Sequence, residues 1–188
     1  FKDMFKRINN NIDLASQEQS ISNYWDKIDA FDNSMQNRKN EKTFRFYDGP
    51  PFPTGSPHYG NLLAGVIKDI VPRYWTMRGY YVERRFGWDV HGLPIEMEVQ
   101  KQLGLDDHQQ IKEFGIGKFN EACRSQVQTN TENWERVTRK IGRWVDFEND
   151  YKTMDIDFME SVWWVFKNLW ENDLIYKDYK VLPYSWSA

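Results

Sequence analysis

The sequence is poor in cysteine, and it contains no run of apolar residues long enough to cross a bilayer. Its single thiol, Cys123, excludes an intrachain disulfide and a multi-cysteine zinc site, and it is typical of a reducing compartment. Because a spanning helix needs about 18 or more consecutive apolar residues, we expect no membrane partner. The polar residues 1–19 also lack the apolar core of a secretory signal, so we predict a cytoplasmic protein.

The sequence also lacks a surplus of positive charge. It carries 25 Lys and Arg residues against 28 Asp and Glu, a formal net charge of −3 at pH 7. Whole-chain charge therefore gives no indication of nucleic-acid binding. The local exception is a basic face on a helix predicted over 118–144, formed by Arg136, Arg139, Lys140 and Arg143. Such a stripe is either a solvated face or a nucleic-acid contact, and both interpretations stay open.

Aromatic residues, by contrast, are plentiful. The 9 Trp, 10 Tyr and 12 Phe supply enough bulky apolar surface for a real core. The length of 188 residues predicts one domain with an appendage. We expect residues 1–42 to form an N-terminal extension with a packing helix over 20–30, and residues 43–188 to form the main domain.

A turn-rich loop followed by an amphipathic helix occupies residues 47–79. Apolar residues recur with the period of one helix face: Leu62, Leu63, Val66, Ile67, Ile70, Val71 and Tyr74. The pattern predicts a core-facing helix that ends at Gly79. Pro72 removes one backbone hydrogen bond, so we expect a kink near Lys68.

This loop and helix are flanked by two β-prone segments, 43–47 and 80–86. The order strand, loop, helix, strand is that of a βαβ unit in an α/β fold with a parallel sheet. In such folds a ligand binds at the carboxyl end of the strands, where the helix N-terminus points.

His58, Gly60 and Asn61 stand at the predicted start of the helix. The first N–H groups of a helix have no internal partner and carry partial positive charge, which favours an anion. Both polar side chains can donate to a phosphate oxygen, and the glycine lets a ligand approach the backbone. The alternative is an ordinary connection in which His58 only caps the helix. A short motif alone does not decide between them.

A second loop, 87–94, follows the second β-prone segment and carries Asp89 and His91. A carboxylate here suits a cationic group on a second substrate. The alternative is that Asp89 caps the following turn and His91 is an ordinary polar residue. A metal site formed by these two residues with His58 is disfavoured, because zinc ligands are usually closely spaced in sequence.

The remainder of the chain is predicted to be mainly helical. We expect helices over 95–103, 118–144 and 158–172, irregular segments over 105–117 and 145–153, and strand-like pieces over 174–184. The third helix should bury a Trp-rich face formed by Val162, Trp163, Phe166, Leu169 and Trp170.

Several motifs resemble the class I aminoacyl-tRNA synthetases. The sequence at 58–61, His-Tyr-Gly-Asn, looks like the HIGH signature of that family, with Asn61 in place of its second histidine. The flanking blocks resemble the isoleucyl branch, and the later ones its eukaryotic cytosolic form. These blocks are DGPPF at 48–52, GWDVHGLPIE at 87–96, NEACR at 120–124, GRWVDF at 142–147 and ESVWWVF at 160–166.

The resemblance implies the first half of a Rossmann-type catalytic domain that activates L-isoleucine with ATP and Mg²⁺ and transfers it to tRNA(Ile). It assigns two groups of site residues. ATP-binding residues would be Thr54, Gly55, His58, Gly60 and Asn61, with His58 and Asn61 catalytic; amino-acid-binding residues would be Pro51, Asp89 and His91. No structural metal is implied. Asparagine keeps an N–H donor but cannot carry charge, so a role that needs an imidazolium is in doubt at position 61.

The family's KMSKS loop does not occur in the sequence. The resemblance implies that this loop, the editing domain and the anticodon-binding domain belong to a C-terminal part, with the editing insertion after a segment like 180–185. Two alternatives remain: a non-catalytic nucleotide- or protein-binding module derived from a synthetase, and a small nucleotidyltransferase with a related loop. The second gives no role to the block at 88–96.

Overall fold

A computed structural model of the chain describes residues 11–184, without the side chains of 128–130. Its elements are α1 (Leu14–Lys27), α2 (Ala30–Gln36), α3 (Tyr59–Met77), β1 (Arg85–Trp88), α4 (Leu93–Leu103), α5 (His108–Phe114), α6 (Ile116–Lys140), β2 (Asp146–Lys152) and α7 (Ile156–Glu171). Residues 1–10 of the predicted extension and 185–188 of the main segment lie outside this range. The boundary at 42/43 stays a prediction. No helix in the described range is both long and apolar enough for a bilayer.

The sheet is parallel, as predicted, but its strands differ from those expected. β1 pairs with β2, with Gly87 opposite Tyr151, and a further parallel bridge joins Thr43 to Tyr81. The strand predicted over 43–47 is therefore reduced to one bridge. The segment 145–153, predicted as a loop, contains β2. Its polar sequence lacks β-propensity, and its strand conformation comes from tertiary pairing.

The predicted helices are present, but the residues at which they begin and end differ from those predicted. Gly79 and Gly104 follow α3 and α4 with positive φ, as predicted. The packing helix predicted over 20–30 is α1, which spans Leu14–Lys27 and is followed by the separate helix α2, and α6 ends at Lys140 rather than at 144. The predicted irregular segment 105–117 contains α5. This short helix forms because Asp107 caps it and Ile111 packs against Val99 and Phe119.

α3 runs as one helix through Pro72, which is buried. The Arg84 guanidinium donates to the Pro72 carbonyl oxygen at 3.2 Å. Burial, only partly offset by the charge of Asp69, lowers the pKa of Arg84 to about 10. The kink near Lys68 stays a prediction.

The prediction that α3 and α7 bury their apolar faces is wrong for the described residues. Ile67 and Ile70 on α3 are exposed, and Trp163 on α7 is 69% exposed. The remaining members of the predicted α7 face are exposed too: Val162, Phe166, Leu169 and Trp170. The amphipathic pattern correctly predicts helices. It does not fix what covers them, and no part of residues 11–184 does so.

The core lies between the sheet and the helices that follow β1. Its largest cluster contains Phe86, Trp88, Val90, Ile95, Val127, Trp134 and Val145. The N-terminal helices attach beside this core through the Arg73 guanidinium, which lies 3.9 Å from the Trp144 ring centroid and 5.1 Å from that of Trp25. This stack attaches the C-terminal half of α3 to the N-terminal helices.

Candidate functional site

The N-terminus of α3 is closed by a reciprocal cap between His58 and Asn61. His58 Nδ1 accepts from the backbone N–H of Gly60 at 3.1 Å and of Asn61 at 3.4 Å. In return, Asn61 Oδ1 accepts from the backbone N–H of His58 at 3.0 Å. The proposed capping role of His58 is therefore real. It does not exclude ligand binding, because it uses only one polar atom of each side chain.

The cap determines which atoms remain for a ligand. Since Nδ1 of His58 accepts, the ring proton lies on Nε2, which is a donor. Since Oδ1 of Asn61 accepts, its amide nitrogen is likewise left as a donor. A Cβ on Gly60 would lie 3.0 Å from Cε1 and 3.1 Å from Nδ1 of His58. The glycine therefore makes room for the capping imidazole.

Pro51 and Asp89 are brought together directly, although they are far apart in sequence. The Asp89 N–H donates to the Pro51 carbonyl oxygen at 2.9 Å. Asp89 follows β1 at its carboxyl end and is half-buried, whereas His91 is exposed. This backbone bond joins the proline-rich loop to the loop after β1, at the sheet edge where the sequence places a ligand.

The part of the loop between Pro51 and α3 is held by α6. Trp134 Nε1 donates to the Gly55 carbonyl oxygen at 3.0 Å, and Asn133 Nδ2 donates to Ser56 Oγ at 3.2 Å. Thr54 precedes these contacts and is half-buried. Sequence reasoning missed both α6 residues. Periodicity cannot distinguish the role of Trp134 from that of any other core residue, and no pattern in the sequence marks Asn133.

Among residues 11–184, no group of three His, Cys, Asp or Glu side chains is close enough together to hold a metal ion. His58, Asp89 and His91 therefore do not form a metal-binding cluster.

The loop begins with a buried carboxylate that the sequence reading did not single out. Asp48 Oδ1 lies 2.7 Å from Lys68 Nζ of α3, and Asp48 Oδ2 lies 2.6 Å from Arg143 Nη2. Lys68 Nζ also donates to the Gly49 carbonyl oxygen at 2.5 Å. The Asp48 side chain is fully buried. We call Asp48, Lys68 and Arg143 the Asp48 cluster.

The backbone of Asp48 is held as well. The Tyr151 hydroxyl donates to the Asp48 carbonyl oxygen at 2.7 Å. Burial, followed by the negative charge of Asp48, raises the pKa of the Tyr151 phenol. The hydroxyl therefore keeps its proton, and with it this hydrogen bond, well into the alkaline range.

The predicted basic face loses one member. Arg143 is 8% exposed and lies beyond the end of α6, paired with Asp48. Arg139 pairs with Glu135 at 2.7 Å. The remaining three, Arg136, Arg139 and Lys140, stand on α6, so a nucleic-acid contact of this helix stays a prediction with a smaller charge.

The chain matches the family model described as tRNA synthetases class I (I, L, M and V) over residues 20–188. It is 51% identical to the isoleucine–tRNA ligase of Treponema denticola and 55% identical to that of Mycobacterium tuberculosis, covering 96% and 93% of this chain. It is 54% identical to a relative from Arabidopsis thaliana named isoleucine–tRNA ligase, cytoplasmic, over 90% of this chain.

The chain spans only 16%, 17% and 14% of the lengths of these three relatives. Among solved structures, it resembles the LeuRS of Agrobacterium radiobacter, seen in a ternary complex with tRNA and LeuAMS. The TM-score is 0.56 with 23% identity, over 89% of this chain and 19% of that one. This likeness concerns the fold alone.

Proposed function

Because the chain belongs to the class I tRNA synthetases, we propose that it forms the N-terminal part of the active site of an isoleucine–tRNA ligase. The whole enzyme would join the carboxylate of L-isoleucine to the α-phosphate of ATP, release pyrophosphate and pass the acyl group to tRNA(Ile). Mg²⁺ would accompany ATP as part of the substrate. We assign no residue of this chain as its ligand.

The capped N-terminus of α3 carries this proposal. Its two free donors, Nε2–H of His58 and the amide of Asn61, stand where the helix dipole already favours a phosphate. Phosphoryl chemistry needs charge stabilisation and positioning more than covalent help. Both donors are neutral, so they would stabilise developing charge by hydrogen bonding. Thr54, Gly55 and Gly60 would complete the nucleotide site.

The amino acid would lie at the junction of the two loops. The Asp89 carboxylate would bind the α-amino group of isoleucine and so orient its carboxylate for attack, with Pro51 against the side chain and His91 at the rim. The junction itself is supported by the 2.9 Å bond between the two backbones. Holding reactants in line supplies much of the rate in such reactions.

The remaining parts of the enzyme would lie outside these 188 residues. The KMSKS loop, the editing domain and the anticodon-binding domain would be further along the protein. We therefore expect the isolated chain neither to edit nor to charge tRNA efficiently, and measurable aminoacylation by it would contradict this. Cytoplasmic localisation is proposed with support from the name of the Arabidopsis relative.

The test is ATP–pyrophosphate exchange by the full-length protein with isoleucine, valine, leucine and methionine. We expect the highest kcat/KM with isoleucine, and its loss in Asp89→Ala. Asp106→Ala, which changes an exposed aspartate between α4 and α5, is the matched control and should keep activity. Highest activity with another amino acid would overturn the substrate. No exchange with any would leave the binding module as the better interpretation.

A further inference from the structure

We propose that Asp48 is a positioning residue for the amino-acid half of this site. Through its ion pairs with Lys68 and Arg143, it would set the place of Pro51 against Asp89 without touching the substrate. This inference rests on the proposed function, since it assigns a role within the same reaction.

Asp48 fixes the start of the proline-rich loop. The carboxylate is fully buried, with one oxygen 2.7 Å from Lys68 and the other 2.6 Å from Arg143, so each of its oxygens faces a cation. These partners come from α3 and from the segment after α6, so the loop is tied to two elements at once. Neutralising Asp48 would leave two neighbouring cations without their shared counter-charge, a strongly unfavourable change in a buried site.

A shift at Asp48 would be passed along the backbone to the substrate site. Lys68 also holds the Gly49 carbonyl oxygen at 2.5 Å, so two consecutive residues are fixed. Pro50 and Pro51 follow, and their locked φ angles leave the backbone little freedom to absorb a shift. Movement at Asp48 therefore reaches the Pro51 carbonyl, which binds the Asp89 N–H.

The nucleotide half of the site is anchored by residues outside the Asp48 cluster. Gly55, further along the loop than Asp48, is held by Trp134 of α6 and not by the Asp48 cluster. The His58–Asn61 cap is internal to the first turn of α3. The loop thus has two anchors, one for each substrate, and damage to one should be felt mainly by its own substrate.

The experiment compares Asp48→Asn with Trp134→Phe in the full-length protein, by exchange kinetics. Asp48→Asn keeps the shape of the side chain and removes its charge. It should raise KM for isoleucine about tenfold or more, with KM for ATP changed less than about threefold. Trp134→Phe removes the indole donor to Gly55 together with part of a core side chain, and it should raise KM for ATP more than KM for isoleucine. Circular dichroism and thermal unfolding of each variant check the fold.

Lys68 supplies a second, milder pair of variants, because its side chain is partly exposed. Lys68→Met should change the isoleucine KM in the same direction as Asp48→Asn, and Lys68→Arg, which keeps the charge, should restore most of it. A merely structural role predicts equal losses for both substrates in all variants.

The outcomes distinguish failure of the proposed function from failure of the positioning role of Asp48. Absence of isoleucine exchange in the wild-type protein would overturn the proposed function, and this inference with it. Normal exchange in the wild type, with both KM values changed equally or not at all in Asp48→Asn and Lys68→Met, would overturn the positioning role alone.

Discussion

The ring of Tyr151 lies directly over the Cα atom of Gly87, its partner in the parallel ladder. A Cβ at position 87 would lie 2.2 Å from Cζ and 2.4 Å from the hydroxyl oxygen of Tyr151. This contact lets the phenol cross β1 and donate to the Asp48 carbonyl oxygen. The glycine is needed here for space and not for an unusual backbone angle.

Gly87→Ala should therefore destabilise the chain. The added methyl must displace the Tyr151 ring, and we expect a loss of about 1–3 kcal/mol in the free energy of unfolding, measured by urea titration. Gly117→Ala is the control, because a Cβ there meets no atom within 4 Å. It should stabilise by about 0.4–1 kcal/mol. Equal effects of the two substitutions would contradict the contact.

The cap at α3 separates stability from function at Asn61. Asn61→Asp keeps the oxygen that accepts from His58 N–H, and an acid is favoured in the first turn of a helix. It replaces the amide donor by a negative charge, which repels phosphate. We expect kcat/KM for ATP to fall by about 10²-fold in exchange by the full-length protein, with an unchanged melting temperature.

Asn61→Ala is the companion variant, since it removes the Asn61 half of the reciprocal cap together with the donor. It should lower activity and also cost about 1 kcal/mol of stability. Full activity in Asn61→Asp would show that the amide donates nothing to the nucleotide.

Cys123 should react slowly with alkylating agents. Burial, aided by the negative charge of Glu96, raises the pKa of the thiol. Because the thiolate is the reactive form, iodoacetamide at pH 8.5 should modify the native chain more slowly than the unfolded chain, and the difference should narrow at higher pH. Glu96→Gln should speed the reaction, while Glu41→Gln, at an exposed position, should not. A native rate equal to the unfolded rate would contradict this.

The isolated chain should self-associate through α7. Val162 is 53% and Trp163 69% exposed, within an apolar face that nothing in residues 11–184 covers. Sedimentation should show a mass that rises with concentration, and Trp163→Glu should reduce it. Ser161→Glu adds the same charge without removing an apolar side chain, and so should reduce it less. A constant monomer mass would contradict the prediction.

Local signals in the sequence were sufficient for α3 and its ends. An apolar period, a polar residue at the start and Gly79 at the end are all encoded within one stretch. β2 could not be found in this way, since its sequence is polar and its conformation depends on pairing with β1.

The partner of Arg143 was equally hidden. Asp48 lies 95 residues away, and the sequence around either residue gives no indication that the two pair. Periodicity therefore placed Arg143 on the basic face of a helix, whereas it is buried in an ion pair beyond the end of α6. The two loops of the site were placed at the same sheet edge by topology, but the atoms that join them could not be predicted from the sequence.

The bond between Asp89 N–H and the Pro51 carbonyl oxygen involves only main-chain atoms. The bond itself therefore does not use the Asp89 carboxylate. Under the proposed function, substitutions that alter the pocket for the amino-acid side chain would leave this main-chain bond in place. The main-chain junction and the side-chain pocket would thus be separate parts of the site, and redesign of the pocket could begin with side chains and leave the backbone unchanged.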